Sequence, residues 1–232
     1  MMTLVYAYYE NGKMLDYQLD SWDRYNNKDK FKIIIVDDGS VKDPAENHLK
    51  DVDVGIDIEL YKIHEDIPWN QDGARNLGMT RVEGWCLMTD IDHVLTYDNA
   101  DKILNYDYDK QFYYTLGEKE VHYILNVKTI LNRPPHPNTY IIHKDTFWKT
   151  GGYNENYRGY YGTDVFFSND LKLISKHKHL DFAHLFEIGI NVISDSCTQN
   201  YGRQGSEYCI NNAKGYMTGF KGPLNFKWTR VK

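Results

Sequence analysis

The sequence has 232 residues, of which 41% are hydrophobic and 15% aromatic, so it can bury the core of one compact domain and is not of the disordered class. A formal net charge of -6 excludes a nucleic acid polymer as the main partner, because such polymers are bound by clustered lysine and arginine. No apolar run approaches the roughly 18 residues that span a bilayer, and the amino terminus lacks a signal peptide pattern. We therefore expect a soluble, cytoplasmic protein without a transmembrane segment, and three cysteines without paired spacing predict reduced thiols.

The first half of the chain alternates short apolar runs with segments of helical periodicity. The predicted strands cover residues 3–9, 31–36, 56–63 and 85–89, and the predicted helices cover residues 14–26, begin near residue 44 and follow residue 70. This alternation predicts right-handed βαβ crossovers and a mostly parallel sheet. In such sheets ligands bind beyond the carboxyl ends of the strands.

Two acidic pairs follow two of these predicted strands. Asp37 and Asp38 end the strand over 31–36, and Asp90 and Asp92 end the strand over 85–89. A carboxylate beside an apolar core needs a cationic partner, and hard oxygen ligands suit magnesium or manganese bound to substrate phosphates. The pattern therefore predicts a metal–diphosphate site, with a solvated turn as the alternative explanation for either pair alone.

The second half of the chain is predicted to extend the sheet. A helix over 98–106 precedes strands over 111–116, 121–131 and 140–143 and a short helix over 145–150. Three prolines place residues 132–138 in a loop over the site, where His136 is expected to be an exposed loop residue, with a contact to sugar hydroxyls as the alternative. One domain of residues 1–232 is predicted.

The glycine- and tyrosine-rich stretch from 151 to 164 predicts a tight, aromatic-lined loop that suits sugar rings. Asp164 ends this loop and begins an apolar helix over 165–174. The helix dipole favours an ionised carboxylate at this position, and an ionised carboxylate can act as a base. The alternative is that Asp164 only caps the helix.

Four motifs in this order resemble the motif series of GT-A fold, nucleotide-sugar-dependent glycosyltransferases of the inverting, family 2-like kind. They are Val-Asp-Asp-Gly-Ser at 36–40, Gly-Ala-Arg-Asn-Leu-Gly at 73–78, Asp-Ile-Asp at 90–92, and Gly-Gly-Tyr-Asn-Glu at 151–155 with Gly-Tyr-Tyr-Gly-Thr-Asp at 159–164. The resemblance covers residues 3 to about 175. It implies an α/β fold of the GT-A, Rossmann-like type, with a mostly parallel central sheet flanked by helices and a small antiparallel part on the acceptor side.

The resemblance implies a nucleotide-sugar-binding half at residues 1–107 and an acceptor and catalytic half at residues 108–232. It also implies roles for residues of the first half. Tyr9 would lie against the base, Asp38 would accept a hydrogen bond from the uracil imide, and Asp37 would support the turn. Arg75 would contact the diphosphate or order the loop that carries it, since its planar charged fork suits phosphate. Asp90 would face the ribose or the water shell of the metal.

The same resemblance assigns the metal and the base. Asp92 would bind the metal directly, and Asp164 would take the proton from the acceptor hydroxyl, although Thr163 replaces the glutamate usual before this aspartate. Relatives often supply a downstream histidine as a further metal ligand, and His184 is the candidate nearest a strand-like stretch. The remaining candidates are His177, His179 and Asp195.

The sequence therefore predicts an inverting, divalent-metal-dependent glycosyltransferase of the hexosyltransferase class. The expected cofactor is Mn²⁺ or Mg²⁺, the expected donor is a UDP-sugar or another nucleotide sugar, and the expected acceptor is a hydroxyl of a carbohydrate or glycoconjugate. A catalytically inactive sugar-nucleotide or glycan-binding module of the same fold is the alternative, made conceivable by Thr163. The sequence does not identify the sugar, the acceptor or the oligomeric state.

Overall fold

A computed structural model of the chain describes residues 1–124, 127–189, 193, 202 and 224–232, which form one mixed sheet with helices on both of its faces. The strands are β1 (Met2–Tyr8), β2 (Phe31–Asp37), β3 (Asp57–Ile63), β4 (Trp85–Asp90), β5 (His93–Leu95), β6 (Phe112–Ile124), β7 (Val127–Arg133), β8 (Tyr140–His143), β9 (Lys176–Ile188) and β10 (Trp228–Arg230). The helices are α1 (Gly12–Trp22), α2 (Ala45–Leu49), α3 (Gln71–Met79), α4 (Tyr97–Leu104), α5 (Lys144–Lys149) and α6 (Asp164–Ile174). None of the described helices is long and apolar enough to cross a membrane.

The sheet has the strand order β10-β3-β2-β1-β4-β8-β6-β9-β5, and β7 pairs with β6. In the first half of the chain the strands β3-β2-β1-β4 are parallel throughout, as the βαβ pattern predicts. In the second half β4–β8, β6–β8, β6–β7 and β5–β9 are antiparallel, and only β6–β9 is parallel. The α/β class is confirmed, and the antiparallel part is larger than the small one expected.

The central strand β1 is buried on both faces, which explains its continuous apolar sequence. Leu4 and Tyr6 enter one core cluster with the apolar face of α1. Val5 points to the other side and enters a second cluster with Leu77 of α3. Helix α3 approaches the sheet closely through Gly78, where an added Cβ would lie 2.6 Å from a methyl carbon of Val5.

The second half of the chain differs from the sequence prediction in its strand boundaries. Predicted strands over 111–116 and 121–131 are instead β6, which continues unbroken through residues 117–120, and the separate hairpin strand β7. Only a strand-like stretch near His184 was predicted in this region, and the start of β9 at Lys176 was not, because its first residues, Lys-His-Lys-His, lack the apolar pattern of a core strand. Those residues are exposed, and the apolar part of β9 begins at Leu180.

The pairing of β6 with β9 contains one irregularity that sets the register of the second half. Leu116 pairs with Leu180, but the next residue, Gly117, pairs with His184, so residues 181–183 of β9 are extra in the ladder. Beyond this irregularity Glu120 lies beside Glu187. Glu187 also lies opposite His93 of β5 on its other side.

Candidate active site

A cleft of about 650 Å³ opens beyond the carboxyl ends of the parallel strands. Its lining includes five residues that the sequence predicted to be functional, and these are Tyr9, Asp38, Asp90, Asp92 and Asp164. They come from the ends of β1, β2 and β4 and from the start of α6. The chain topology therefore brings the proposed metal carboxylates and the proposed base into one cavity, as parallel strands with a common carboxyl edge require.

Asp37 holds the turn after β2, whereas Asp38 lines the cleft. Both carboxylate oxygens of Asp37 accept backbone hydrogen bonds, from the Ser40 nitrogen at 2.8 Å and the Ala45 nitrogen at 2.9 Å. Asp38 is buried and lines the cleft, where its Oδ1 accepts a hydrogen bond from the Asn70 amide at 2.7 Å. Burial raises the pKa of Asp38 to about 8, against the opposing effect of Asn70.

Aromatic side chains form one wall of the cleft. The Tyr9 hydroxyl lies 3.3 Å from Oδ2 of Asp66 and donates a hydrogen bond to it. Trp69 and Tyr161 meet edge to face with ring centroids 5.0 Å apart, and the Trp69 indole N–H donates to the Gly202 carbonyl at 2.9 Å. The sequence analysis missed Trp69, although its position just before the helix that follows Asn70 was a usable signal.

Arg75 is fully enclosed behind the cleft and is not among the residues that line it. Its Nη2 donates to Oδ1 of Asp90, and its Nη1 lies 4.0 Å from Oδ1 of Asp72. Its guanidinium carbon also stacks 5.3 Å from the centroid of the Tyr153 ring. Of the two roles implied for Arg75, direct phosphate contact and ordering of the site, this geometry fits the second.

Asp90 is held from both sides, and the loop predicted to cover the site supplies the second side. Its Oδ2 accepts a hydrogen bond from the Asn138 amide at 3.2 Å and lies 3.6 Å from Nδ1 of His136. Burial alone would raise the pKa of Asp90, but Arg75 and the nearby histidines lower it to about 2. His136 is thus a cleft residue with a half-buried ring, and not the exposed loop residue that the sequence suggested.

A histidine that directly follows the Asp-Ile-Asp motif orients the second carboxylate. Nδ1 of His93 lies 2.8 Å from Oδ1 of Asp92, whose side chain remains 38% exposed to the cleft. Donor atoms of Asp90, His93 and His136 lie within 4.8 Å of one another, a spacing that suits metal ligation. The sequence analysis missed His93, because a lone histidine after a strand has no pattern of its own.

His184, the predicted third metal ligand, does not join this group. It lies three residues before Glu187 on β9, so their side chains point to opposite faces of the strand. The His184 ring instead covers Gly117 of β6, where an added Cβ would lie 2.5 Å from Cδ2 of the ring. His177 and His179 both lie within 3.0 Å of Oγ1 of Thr115, on an exposed part of β9. Asp195 lies outside the described residues.

Asp164 is the first residue of α6 and lines the cleft opposite the strand ends. Burial raises its pKa, while Arg75 opposes that rise and Asp90 adds to it. Asp72, a carboxylate missed from sequence, is 1% exposed, and burial raises its pKa to about 7, with the charge of Asp164 adding to that rise. Asp164 therefore has an environment in which a carboxylate binds protons more readily than in water.

Asn76 joins two of the motif segments that are far apart in sequence. Its side-chain amide donates to the Tyr153 carbonyl and to Oε1 of Glu155, both at 2.9 Å, and its Oδ1 accepts from the Tyr153 nitrogen at 2.8 Å. Glu155 in turn accepts backbone hydrogen bonds from Leu224 and Asn225. Three hydrogen bonds of one side chain thus hold the two segments together.

The model of the family described as Glycosyl transferase family 2 matches residues 3–178. None of the curated proteins compared with the sequence matches it significantly. Three solved structures show the fold that this chain shares. S. aureus TarS 1-349 in complex with UDP-GlcNAc is 13% identical, with a TM-score of 0.65 over 81% of this chain and 58% of that one.

The mannosyltransferase PcManGT from Pyrobaculum calidifontis, in complex with GDP-Man and Mn²⁺, is 11% identical, with a TM-score of 0.61 over 80% of this chain and 56% of that one. The catalytic domain of Drosophila beta1,4galactosyltransferase 7, in complex with xylobiose, is 11% identical, with a TM-score of 0.56 over 94% of this chain and 82% of that one. The chain spans about 60% of the length of the TarS 1-349 structure.

Proposed function

The chain belongs to glycosyl transferase family 2, and from this premise we propose that it is an inverting, divalent-metal-dependent hexosyltransferase. The donor is a nucleotide diphosphate sugar, with a UDP-sugar expected, and the acceptor is a hydroxyl of a carbohydrate or glycoconjugate. One observation carries the proposal: Asp38, Asp92 and Asp164 line a single cleft. Neighbours of the same fold that bind UDP-GlcNAc or GDP-Man support the donor class.

The nucleoside would occupy the part of the cleft nearest β1 and β2. Tyr9 offers a ring face for the base, and Asp38 offers a carboxyl group for the imide. The edge-to-face pair of Trp69 and Tyr161 lies on the same cleft and offers apolar surface to a sugar ring. Each of these contacts can be tested separately by mutation of the residue that makes it.

The residues at the end of β4 fit a divalent ion. Asp92 presents a carboxylate that is 38% exposed and lies 2.8 Å from Nδ1 of His93. Asp90, His93 and His136 bring oxygen and nitrogen donors within 4.8 Å of one another. We assign Mn²⁺ or Mg²⁺ to Asp90 and Asp92, with His136 in place of His184 as the further ligand. When bound there, the ion stabilises the charge of the departing nucleoside diphosphate as a Lewis acid.

Asp164 is the proposed base of a single displacement. Its carboxylate takes the proton from the acceptor hydroxyl while that oxygen forms a bond to the anomeric carbon. The bond between the anomeric carbon and the diphosphate oxygen breaks on the opposite side, so the configuration inverts. One base and one stabilised leaving group are sufficient for this reaction, and the cleft supplies both.

Mass spectrometry of the purified protein with Mn²⁺ and a panel of nucleotide sugars and glycan acceptors tests the assignment. We expect one donor to be transferred, and Asp164→Asn to retain donor binding while transfer falls by at least about 100-fold. Asp145→Asn is the matched control, because Asp145 is an exposed aspartate in the first turn of α5. Transfer that survives in Asp164→Asn would remove this residue from the role of base.

A further inference from the structure

A second group of possible ligands lies beside the proposed donor site and shares His93 with it. The register of the sheet brings together His93 of β5, Glu118 of β6 and Glu187 of β9. His93 is directly opposite Glu187, and Glu118 pairs with Leu185, two residues before Glu187 and therefore on the same face. Donor atoms of these three residues lie within 4.8 Å of one another. We propose that this triad forms a second divalent-cation site, distinct from the site assigned to Asp90 and Asp92.

Two donor atoms in the triad are buried without a hydrogen-bond partner. His93 is 1% exposed and Glu118 is 6% exposed, and neither Nε2 of His93 nor Oε2 of Glu118 has a partner. The two atoms lie 3.7 Å apart, which is too long for a hydrogen bond. The same separation suits two ligands of one ion, since metal bonds to histidine nitrogen and carboxylate oxygen are about 2.0–2.2 Å long.

The other nitrogen of His93 sets the proton arrangement that such a site needs. Nδ1 lies 2.8 Å from Oδ1 of Asp92 and donates its proton to that carboxylate. With the proton kept on Nδ1, Nε2 is the nitrogen left to bind an ion, and it lies 3.7 Å from Oε2 of Glu118. One imidazole thus connects the two sites, because it orients Asp92 in the first and is a ligand in the second.

The charge around the triad also calls for a cation. Asp92, Glu118 and Glu187 surround His93, and no lysine or arginine in the described part of the chain pairs with either glutamate. The nearby Glu120 is already bound by Arg133. Ionised carboxylates that lie close together in a poorly hydrated place are destabilised unless positive charge compensates them.

The donor set narrows the class of ion. One imidazole nitrogen and two carboxylate oxygens suit a first-row divalent ion such as Mn²⁺. Mg²⁺ prefers oxygen ligands with several retained waters, and a nitrogen ligand disfavours it. The second site is therefore expected to bind Mn²⁺ in the absence of any nucleotide, because its protein ligands do not require a substrate phosphate as a further ligand.

Counting bound Mn²⁺ by electron paramagnetic resonance on the chelator-treated full chain, without nucleotide, tests this site. We expect Glu118→Gln to lose one Mn²⁺ per chain relative to the unmodified protein. Glu187→Gln should lose the same ion, and it serves if Glu118→Gln fails to fold, since Glu187 is less buried. Glu59→Gln is the matched control, because Glu59 is a buried glutamate of β3 that pairs with Lys32 away from the cleft.

The difference of one ion does not depend on the donor site. If Asp92→Asn loses transfer but Glu118→Gln still loses one Mn²⁺, the second site stands whatever happens to the first. Equal Mn²⁺ counts in the unmodified protein, Glu118→Gln and Glu187→Gln would overturn the proposal. That result would mean that the triad is an ion pair of protonated His93 with its acidic neighbours.

Discussion

The guanidinium of Arg75 binds Asp90 from behind the cleft, while the opposite oxygen of Asp90 accepts a hydrogen bond from Asn138. Asp90 is thus fixed in orientation by groups that do not themselves need to touch substrate. A buried arginine in this position stabilises the negative charge of the strand end before any metal arrives. The arrangement explains why the Gly-Ala-Arg-Asn-Leu-Gly motif lies on a helix that packs behind the sheet.

Removal of this arginine is expected to damage both stability and the site. Arg75→Ala leaves Asp90 and Asp72 without their buried partner, and breaking such a pair typically costs about 3–5 kcal/mol. Urea denaturation should show the loss, and Mn²⁺-dependent UDP binding should weaken with it. Arg158→Ala is the control, because Arg158 is an exposed arginine with one described side-chain hydrogen bond, to the Asn225 carbonyl. Unchanged stability in Arg75→Ala would contradict the structural role.

The pH dependence of transfer should reveal the environment of Asp164. Burial raises the pKa of this carboxyl group, and the base must be ionised to accept a proton. As pH falls towards the raised pKa, kcat/KM should therefore decline at a higher pH than an ordinary aspartate would give. Arg75 opposes the rise, so Arg75→Lys, which retains a charge but not the same contacts, should move the acidic limb upwards. An acidic limb near the pKa of a free aspartate would argue against Asp164 as the base.

His184, the metal ligand predicted from sequence, and His136, the histidine that lines the cleft, can be compared directly. His136→Ala should weaken Mn²⁺-dependent UDP binding by roughly 10–100-fold, the range typical for loss of groups that support a metal site. His184→Ala should leave it unchanged, because the His184 ring lies against Gly117 on the other face of β6. Isothermal titration calorimetry measures both variants. The reverse result would restore His184 as the metal ligand.

Helix α3 should tolerate no side chain at its closest approach to the sheet. In Gly78→Ala the new methyl group would lie 2.6 Å from Cγ1 of Val5, a buried side chain of the central strand that has no room to move. Overpacking of this kind costs about 1–3 kcal/mol. Thermal unfolding should show a lower Tm, whereas Gly84→Ala should not, because nothing lies within 4 Å of a Cβ at Gly84. Equal Tm values for the two variants would contradict the close packing.

The sequence predicted those parts of the site that depend on topology. Asp38 and Asp92 follow parallel strands, and the carboxyl ends of such strands meet whatever the details of packing. The position of Asp164 at the start of α6 was also predictable from the sequence, because its loop and helix have clear local signals. The parallel part of the sheet was predictable for this reason.

The remaining parts depend on register, which no local pattern encodes. Glu118 and Glu187 meet His93 only because β9 pairs with β6 and β5 in one particular alignment. His184 was a reasonable candidate by chain order, but strand periodicity turns it away from the cleft. The exposed start of β9 also concealed the strand itself, because residues such as His177 and His179 do not alternate with apolar neighbours.

Residues 181–183, which are extra in the ladder between β6 and β9, set the register of the rest of β9. Their number determines that Glu187 lies opposite His93. Deletion of a single residue there would slide the rest of β9 by one position and bring Ile188, instead of Glu187, opposite His93. The parallel half of the sheet would be untouched by that change. The length of a short strand distortion could therefore alter the ionic character of the cavity in descendants of this protein, without any substitution among the amino acids that line it.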